Sequence, residues 1–181
     1  MVSKRCVLAF TLSIALLTGL QIGSRASGLD RVFVAAGITL DGVSPIGVYG
    51  SALSFTEGEN SVVFGDIVIT GSSGGVALNS TGRVSAATFS TYTSGDVTYN
   101  HVVLSLSPAA YLDLNTLEET TAAATVYITT GSDGSETLAF QITDAGFTEV
   151  LAQAGTFPAG SIGLPPTQEL PLCGGSATIL L

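Results

Sequence analysis

From Val32 to the C-terminus, apolar or β-branched runs alternate with Gly-rich turn signals about every ten residues, the pattern of a sandwich or barrel. The runs that read as strands are Val32–Leu40, Ile46–Phe55, Ser61–Thr70, Gly75–Leu78, Arg83–Tyr92, Val97–Leu106, Tyr111–Leu114, Ala124–Thr130, Glu136–Thr143 and Ala177–Leu181. Asp41-Gly42, Glu57-Gly58, Gly71–Gly75, Ser94–Asp96 and Gly131–Gly134 punctuate them. The clearest hairpin is Val126–Thr130, a GSDG turn, then Glu136–Gln141. Two stretches carry helix signals instead. Asn115 is placed to cap a helix with Glu118 reaching back. Asp144–Ala154 sets Phe147, Val150 and Leu151 at helical spacing before a Gly155 stop. Phe157–Cys173 is rich in Pro and Gly and reads as irregular, and GSATILL then closes the chain as an apolar strand. The expected fold is all-β: a single antiparallel β-sandwich, Ig-like or jelly-roll, with one or two short helices at crossovers.

The first 26 residues follow a different pattern. Lys4 and Arg5 precede an apolar run, Val7–Leu20, that is shorter than the roughly 20 residues needed to span a bilayer. Ser24 and Ala26 then form a small-x-small site, with Ala26 and Gly28 as a second. This is the grammar of a cleavable secretory signal peptide. A lipoprotein signal would end in Cys, but Cys6 lies before the apolar run; a prepilin helix would carry an acid near its start, but the first is Asp30. Residues 1–26 are therefore expected to direct export, with cleavage after Ala26 or Gly28, leaving residues 27–181 as one secreted or cell-surface domain without a membrane span.

Cleavage changes the charge picture. Lys4, Arg5 and Arg25 leave, so Arg31 and Arg83 face all 14 acidic residues, a net of −12 against −9 for the whole chain. A surface of that sign repels phosphate backbones and anionic lipid, so nucleic acid is not an expected partner. The absence of lysine after Lys4 excludes a Lys–Asn isopeptide crosslink. Cys173 is the one cysteine after Cys6, so the exported chain has no internal disulfide. Charged residues make up only 10% of the sequence, against roughly 25% in ordinary soluble proteins. The surface must be coated by Ser and Thr or partly covered by other copies.

Catalytic chemistry finds little to use. His101 is the only histidine, and Ser105 and Asp96 are near it in sequence without a G-x-S-x-G elbow. One His and a distant Cys do not fill a zinc shell. Gly71–Gly75 lacks a P-loop lysine. No cofactor is expected, and no catalytic or metal residue is assigned. Calcium is the one ion that turn acids could attract, at Glu57, Glu59, Asp96, Asp133 and Glu136, but none follows EF-hand spacing and the acids read first as solvated turn residues. Asn79-Ser80-Thr81 is a glycosylation sequon.

The more informative segment follows the cleavage site. Val32, Val34, Ala36, Ile38 and Leu40 alternate with other residues, so all five point to one face of an extended strand about 30 Å long. Each large side chain among them is worth about 1.5–3 kcal/mol when buried. Such an arm, within residues 27–41, is either the first strand of its own sheet or a donor strand for a neighbouring copy.

Val63-Phe-Gly-Asp-Ile67, Gly74-Gly75-Val-Ala-Leu78 and Thr81-Gly-Arg-Val-Ser-Ala86 resemble the opening of small secreted bacterial proteins of the fimbria-like β-sandwich type. The chain departs from many pilus subunits in lacking a penultimate Tyr and a cysteine pair. The resemblance implies a non-enzymatic structural subunit of a fimbria or cell-surface coat, self-associating into filaments by β-strand addition. The alternative is a secreted carbohydrate- or ligand-binding module, for which Tyr92, Tyr99 and Tyr111 supply aromatic rings without any Trp.

Overall fold

The computed structural model describes residues 28–57 and 60–181. The expected signal peptide, residues 1–26, lies outside the described residues, as does Glu59. Ten strands make up the fold: β1 (Leu29–Ile38), β2 (Ile46–Glu57), β3 (Asn60–Ser73), β4 (Val76–Ser94), β5 (Val97–Asp113), β6 (Glu118–Gly131), β7 (Glu136–Asp144), β8 (Val150–Ala154), β9 (Leu170–Pro171) and β10 (Gly174–Leu180). β1 to β8 form an antiparallel meander in chain order, and β10 adds to the outside of β1. Hydrogen bonding thus joins every strand into one sheet, where the sequence suggested the two sheets of a sandwich. No helix occurs among the described residues, and none is therefore long and apolar enough to cross a membrane.

One face of this sheet is the core. Val32, Val34, Ala36 and Ile38 of β1 meet Ile46, Val48 and Ala52 of β2, then Ile67 and Ile69 of β3, and so on round to Phe140 of β7 and Ile179 of β10, all buried in one cluster. A flat sheet would leave such a face in water. Here β10 packs across the core on β5 and β6, so the sheet curls over its own apolar side. The chain reinforces the curl near its C-terminus. Leu170–Pro171 pairs with Leu138–Thr137 of β7, the Leu172 amide donates to Glu136, and the Cys173 amide donates to Gly37 of β1. A single short segment therefore ties β7 to β1.

Two of the breaks between expected runs lie inside longer strands. The runs at 75–78 and 83–92 are one strand, β4, of 19 residues, and those at 97–106 and 111–114 are one strand, β5, of 17 residues. Gly82 and Pro108, which look like turn residues, sit beside each other at register shifts: Gly82 pairs with Ala109, and β5 skips from Leu106 to Ala109. Pro cannot donate to the ladder, and a Cβ on Gly82 would come within 3.0 Å of Ala109 and Leu106. At about 3.3 Å per residue β4 is roughly 60 Å long; bulges let such a strand bend around the core.

Both expected helices are turns. After β5, the Asp113 carboxylate accepts the Asn115 amide at 2.7 Å, so Asp113 does the capping and the chain reverses into β6. Asp144 accepts the amides of Gly146, Thr148 and Glu149, closing a turn that delivers Val150–Ala154 into β8. Strands β6 and β7 differ from the rest in being buried on both faces. Residues 155–169 lie across their outer side, with the Tyr127 hydroxyl donating to the Leu164 carbonyl and buried Gln141 donating to the Ser161 carbonyl and accepting the Gly163 amide.

Candidate functional site

β4 and β5 pair along their whole length, and near their shared turn Tyr92 and Tyr99 are cross-strand partners on the outer face. Their rings stack at 5.1 Å and 19°. Two residues further along β5, His101 projects on the same face and stacks on Tyr127 of β6, which meets Phe157 edge-on at 6.1 Å. The segment after β8 brings Glu169 down on this row. Its Oε1 lies 3.5 Å from His101 Nε2 and accepts from the Thr129 hydroxyl at 3.1 Å, while Oε2 accepts from the Thr137 hydroxyl at 2.7 Å. Burial alone would push the Glu169 carboxyl up, but hydrogen bonds from His101, Thr137 and Thr129 and the charge of His101 outweigh it and hold the group below its ordinary value. The result is a shallow cleft of about 420 Å³ lined by Tyr92, Tyr99, Thr129, Thr137, Gln168 and Glu169.

The cleft combines an aromatic platform with hydroxyls, an amide and a fixed carboxylate, groups suited to holding a polar ring by stacking and hydrogen bonds. It is not arranged as a nucleophile and base. Both threonine hydroxyls donate to Glu169 rather than to His101, so neither is set up for activation. Glu169 was not identified from the sequence, although one signal marks it: it is the only charged side chain between Val150 and Leu181.

The residues singled out from the sequence are dispersed. Tyr111 is buried in the core, apart from the cleft formed by Tyr92 and Tyr99. Val32, Val34, Ala36 and Ile38 point inward from β1, which has β2 on one edge and β10 on the other. Leu40 lies beyond the strand, 39% exposed and close to Gly74. The Asp133 carboxylate accepts from the amide and hydroxyl of Ser135. Among the described residues no three His, Cys, Asp or Glu side chains gather into a group that could hold a metal ion. Asn79 stands exposed on β4.

A second surface feature lies where β1 begins and β10 ends. β10 pairs only with β1 among the described residues, and its seven residues, GGSATIL, contain neither a charge nor a proline. On the outer face beside it, Leu180, Arg31, Leu53 and Phe64 are successive cross-strand neighbours over β10, β1, β2 and β3. Leu29, Phe55 and Val62 form the adjoining row. All the apolar members are exposed, Phe64 by 64%. Comparison with known protein families, with curated proteins and with solved structures returned no match.

Proposed function

We propose that the chain is an exported, non-enzymatic structural subunit of a fimbria or surface coat, and that its copies associate by β-strand addition at the open edge of β10. The observation that carries this reading is the composition of that edge. Natural sheets protect edge strands with charge, proline or shortness. The opposite edge strand, β8, has five residues, whereas β10 has seven and none of the other devices. β1, the donor segment suggested by its alternation, has both edges occupied within the chain, and β10 outside it is the terminal strand we propose receives or supplies a neighbour. Ser176 and Thr178 face outward while Ala177 and Ile179 hold the core, so lysines at Ser176 and Thr178 protect the edge without opening the interior. The mature chain is expected to form high-mass assemblies in electron microscopy, and S176K/T178K to remain folded and lose them. A double variant that assembles as the parent does would exclude this edge.

The Tyr92–Tyr99 stack beside Glu169 favours a second reading, a ligand-binding module for neutral sugars. Tyr92 is half exposed and offers a ring face on which a pyranose can lie. Glycan binding measured by titration calorimetry should then be lost in Tyr99→Ala; a parent domain that binds no glycan removes this reading.

A further inference from the structure

The meander places the turns of the sheet at two ends. At one end lie 39–45, 74–75, 114–117 and 145–149, between β1 and β2, β3 and β4, β5 and β6, and β7 and β8. These turns adjoin one another: the Gly74 amide donates to Asp41, the Leu114 amide donates to Ala77, and Asp144 pairs with Ala122 beside the start of β6. Their tips present Val43, Leu117 and Phe147, exposed by 78%, 75% and 55%. Around them stand Asp41, Asp113, Glu118, Glu119, Asp144 and Glu149, with no Lys or Arg among the residues of this rim. Asp41 and Asp144 are held ionised by the amides they accept, foremost those of Ser44 and Glu149, which pull both carboxyls below their ordinary value. The rim is apolar at its tips and wholly acidic in charge.

The outer-face patch near the other end has the complementary make-up. Leu29, Leu53, Phe55, Val62, Phe64 and Leu180 are exposed there. Arg31 lies within their rows, and Arg83 borders them as the cross-strand neighbour of Asp66. These are the only two Lys or Arg residues after Arg25. Neither makes an ion pair among the described residues. After Arg25 the chain has two cations against 14 acids, and both stand beside these exposed apolar rows.

We infer that the partner of this patch is a second copy of the chain, docked end to end so that the patch of one copy covers the acidic rim of the next. This rests on the reading of the chain as a self-associating subunit and names a contact that reading does not contain. Apolar tips meet apolar rows, and Arg31 and Arg83 meet Glu118, Glu119 and Glu149. Because the two surfaces differ, the contact is heterologous and repeats without closing unless the rotation between copies happens to form a ring. A patch-to-patch pair would instead bring the arginines of both copies together.

Sedimentation velocity on the exported chain, residues 27–181, separates the possibilities. R31E/R83E and E118K/E119K/E149K should each stay folded, with circular dichroism unchanged, and each lose the parent's high-mass boundary. An equimolar mixture should regain the parent's high-mass boundary, since each reversed surface then finds its complement. Assembly of E118K/E119K/E149K alone at the parent's level would overturn the inference, because it removes the rim from the contact. If the parent assembles, S176K/T178K abolishes it and neither charge variant matters, end-to-end docking is wrong and strand addition stands. A parent chain that is monomeric at every concentration would overturn both.

Discussion

At Gly50 and Gly65 the packing leaves no room for any other residue. Both lie on the core face of β2 and β3, with φ of 148° and 156°. A Cβ on Gly50 would stand 2.1 Å from the Asp66 carbonyl oxygen, and one on Gly65 at the same distance from that of Ser51. Gly65→Ala is expected to cost about 1–3 kcal/mol, read as a lowered midpoint in urea unfolding. Glu169 ties residues 155–169 to β5, β6 and β7 through His101, Thr129 and Thr137. Its folded-state pKa lies below the unfolded value, so the folded chain releases this proton first as pH rises. The stabilisation is complete above the ordinary glutamate value of about 4.3 and is lost as pH falls through the folded value. Amide exchange in residues 155–169 should therefore quicken selectively under acid, and Glu169→Gln should show the quickened exchange already at neutral pH. Unchanged exchange in the variant would show that the carboxylate is dispensable to the segment. Neither residue was fully legible beforehand. Gly65 looked like one of many glycines, and Glu169 meets His101 only through the fold.

At the scale of elements, the periodic parts of the chain were legible and the turns less so. β1, β2, β3 and β7 lie close to runs seen in the sequence, whereas β6 begins at Glu118 and β10 at Gly174, ahead of the expected Ala124 and Ala177. The breaks between the runs at 75–78 and 83–92 and between those at 97–106 and 111–114 are not turns, because the chain passes Gly82 and Pro108 at register shifts without reversing. Asp144–Ala154 misled for a different reason. Phe147, Val150 and Leu151 do recur at helical spacing, but Asp144 captures the Thr148 and Glu149 amides that a helix would have used, and Phe147 turns at φ 55°. An aspartate turn of this kind competes locally with helix formation. Asp144→Ala is thus expected to loosen residues 145–149 and the β7–β8 pairing while leaving β1 to β6 protected in amide exchange. At the front of the chain, β1 begins at Leu29, so cleavage after Ala26 or after Gly28 leaves the strand whole. On the proposal that the chain is exported, its N-terminal residue by mass spectrometry should be Ser27 or Leu29; a residue inside β1 would contradict a cleavable signal ending there.

For the molecule as a whole, one apolar face serves as the core of a curled sheet, and the side chains deepest in it should dominate stability. Phe140 is fully buried at the centre of β7, and Phe140→Ala is expected to cost about 3–5 kcal/mol, lowering the thermal midpoint well beyond any surface variant. The all-β class could be read from the spacing of turns. The single sheet could not, since alternation reports that one face of each strand is buried and not which strands share a ladder. The same limit applies to assembly: the acidic charge and scarcity of charged side chains were plain, but the unprotected edge of β10, the rows around Phe64 and the acidic rim exist only once the strands are aligned. Together they carry the proposal that the chain is a subunit contacting its own copies. The most direct measurement is sedimentation velocity of the exported chain, residues 27–181, across a hundredfold range of concentration, with negative-stain images of the same samples. The account expects boundaries that move to higher mass with concentration and filaments or sheets on the grid. A single monomer boundary at every concentration, with only isolated particles, would contradict it.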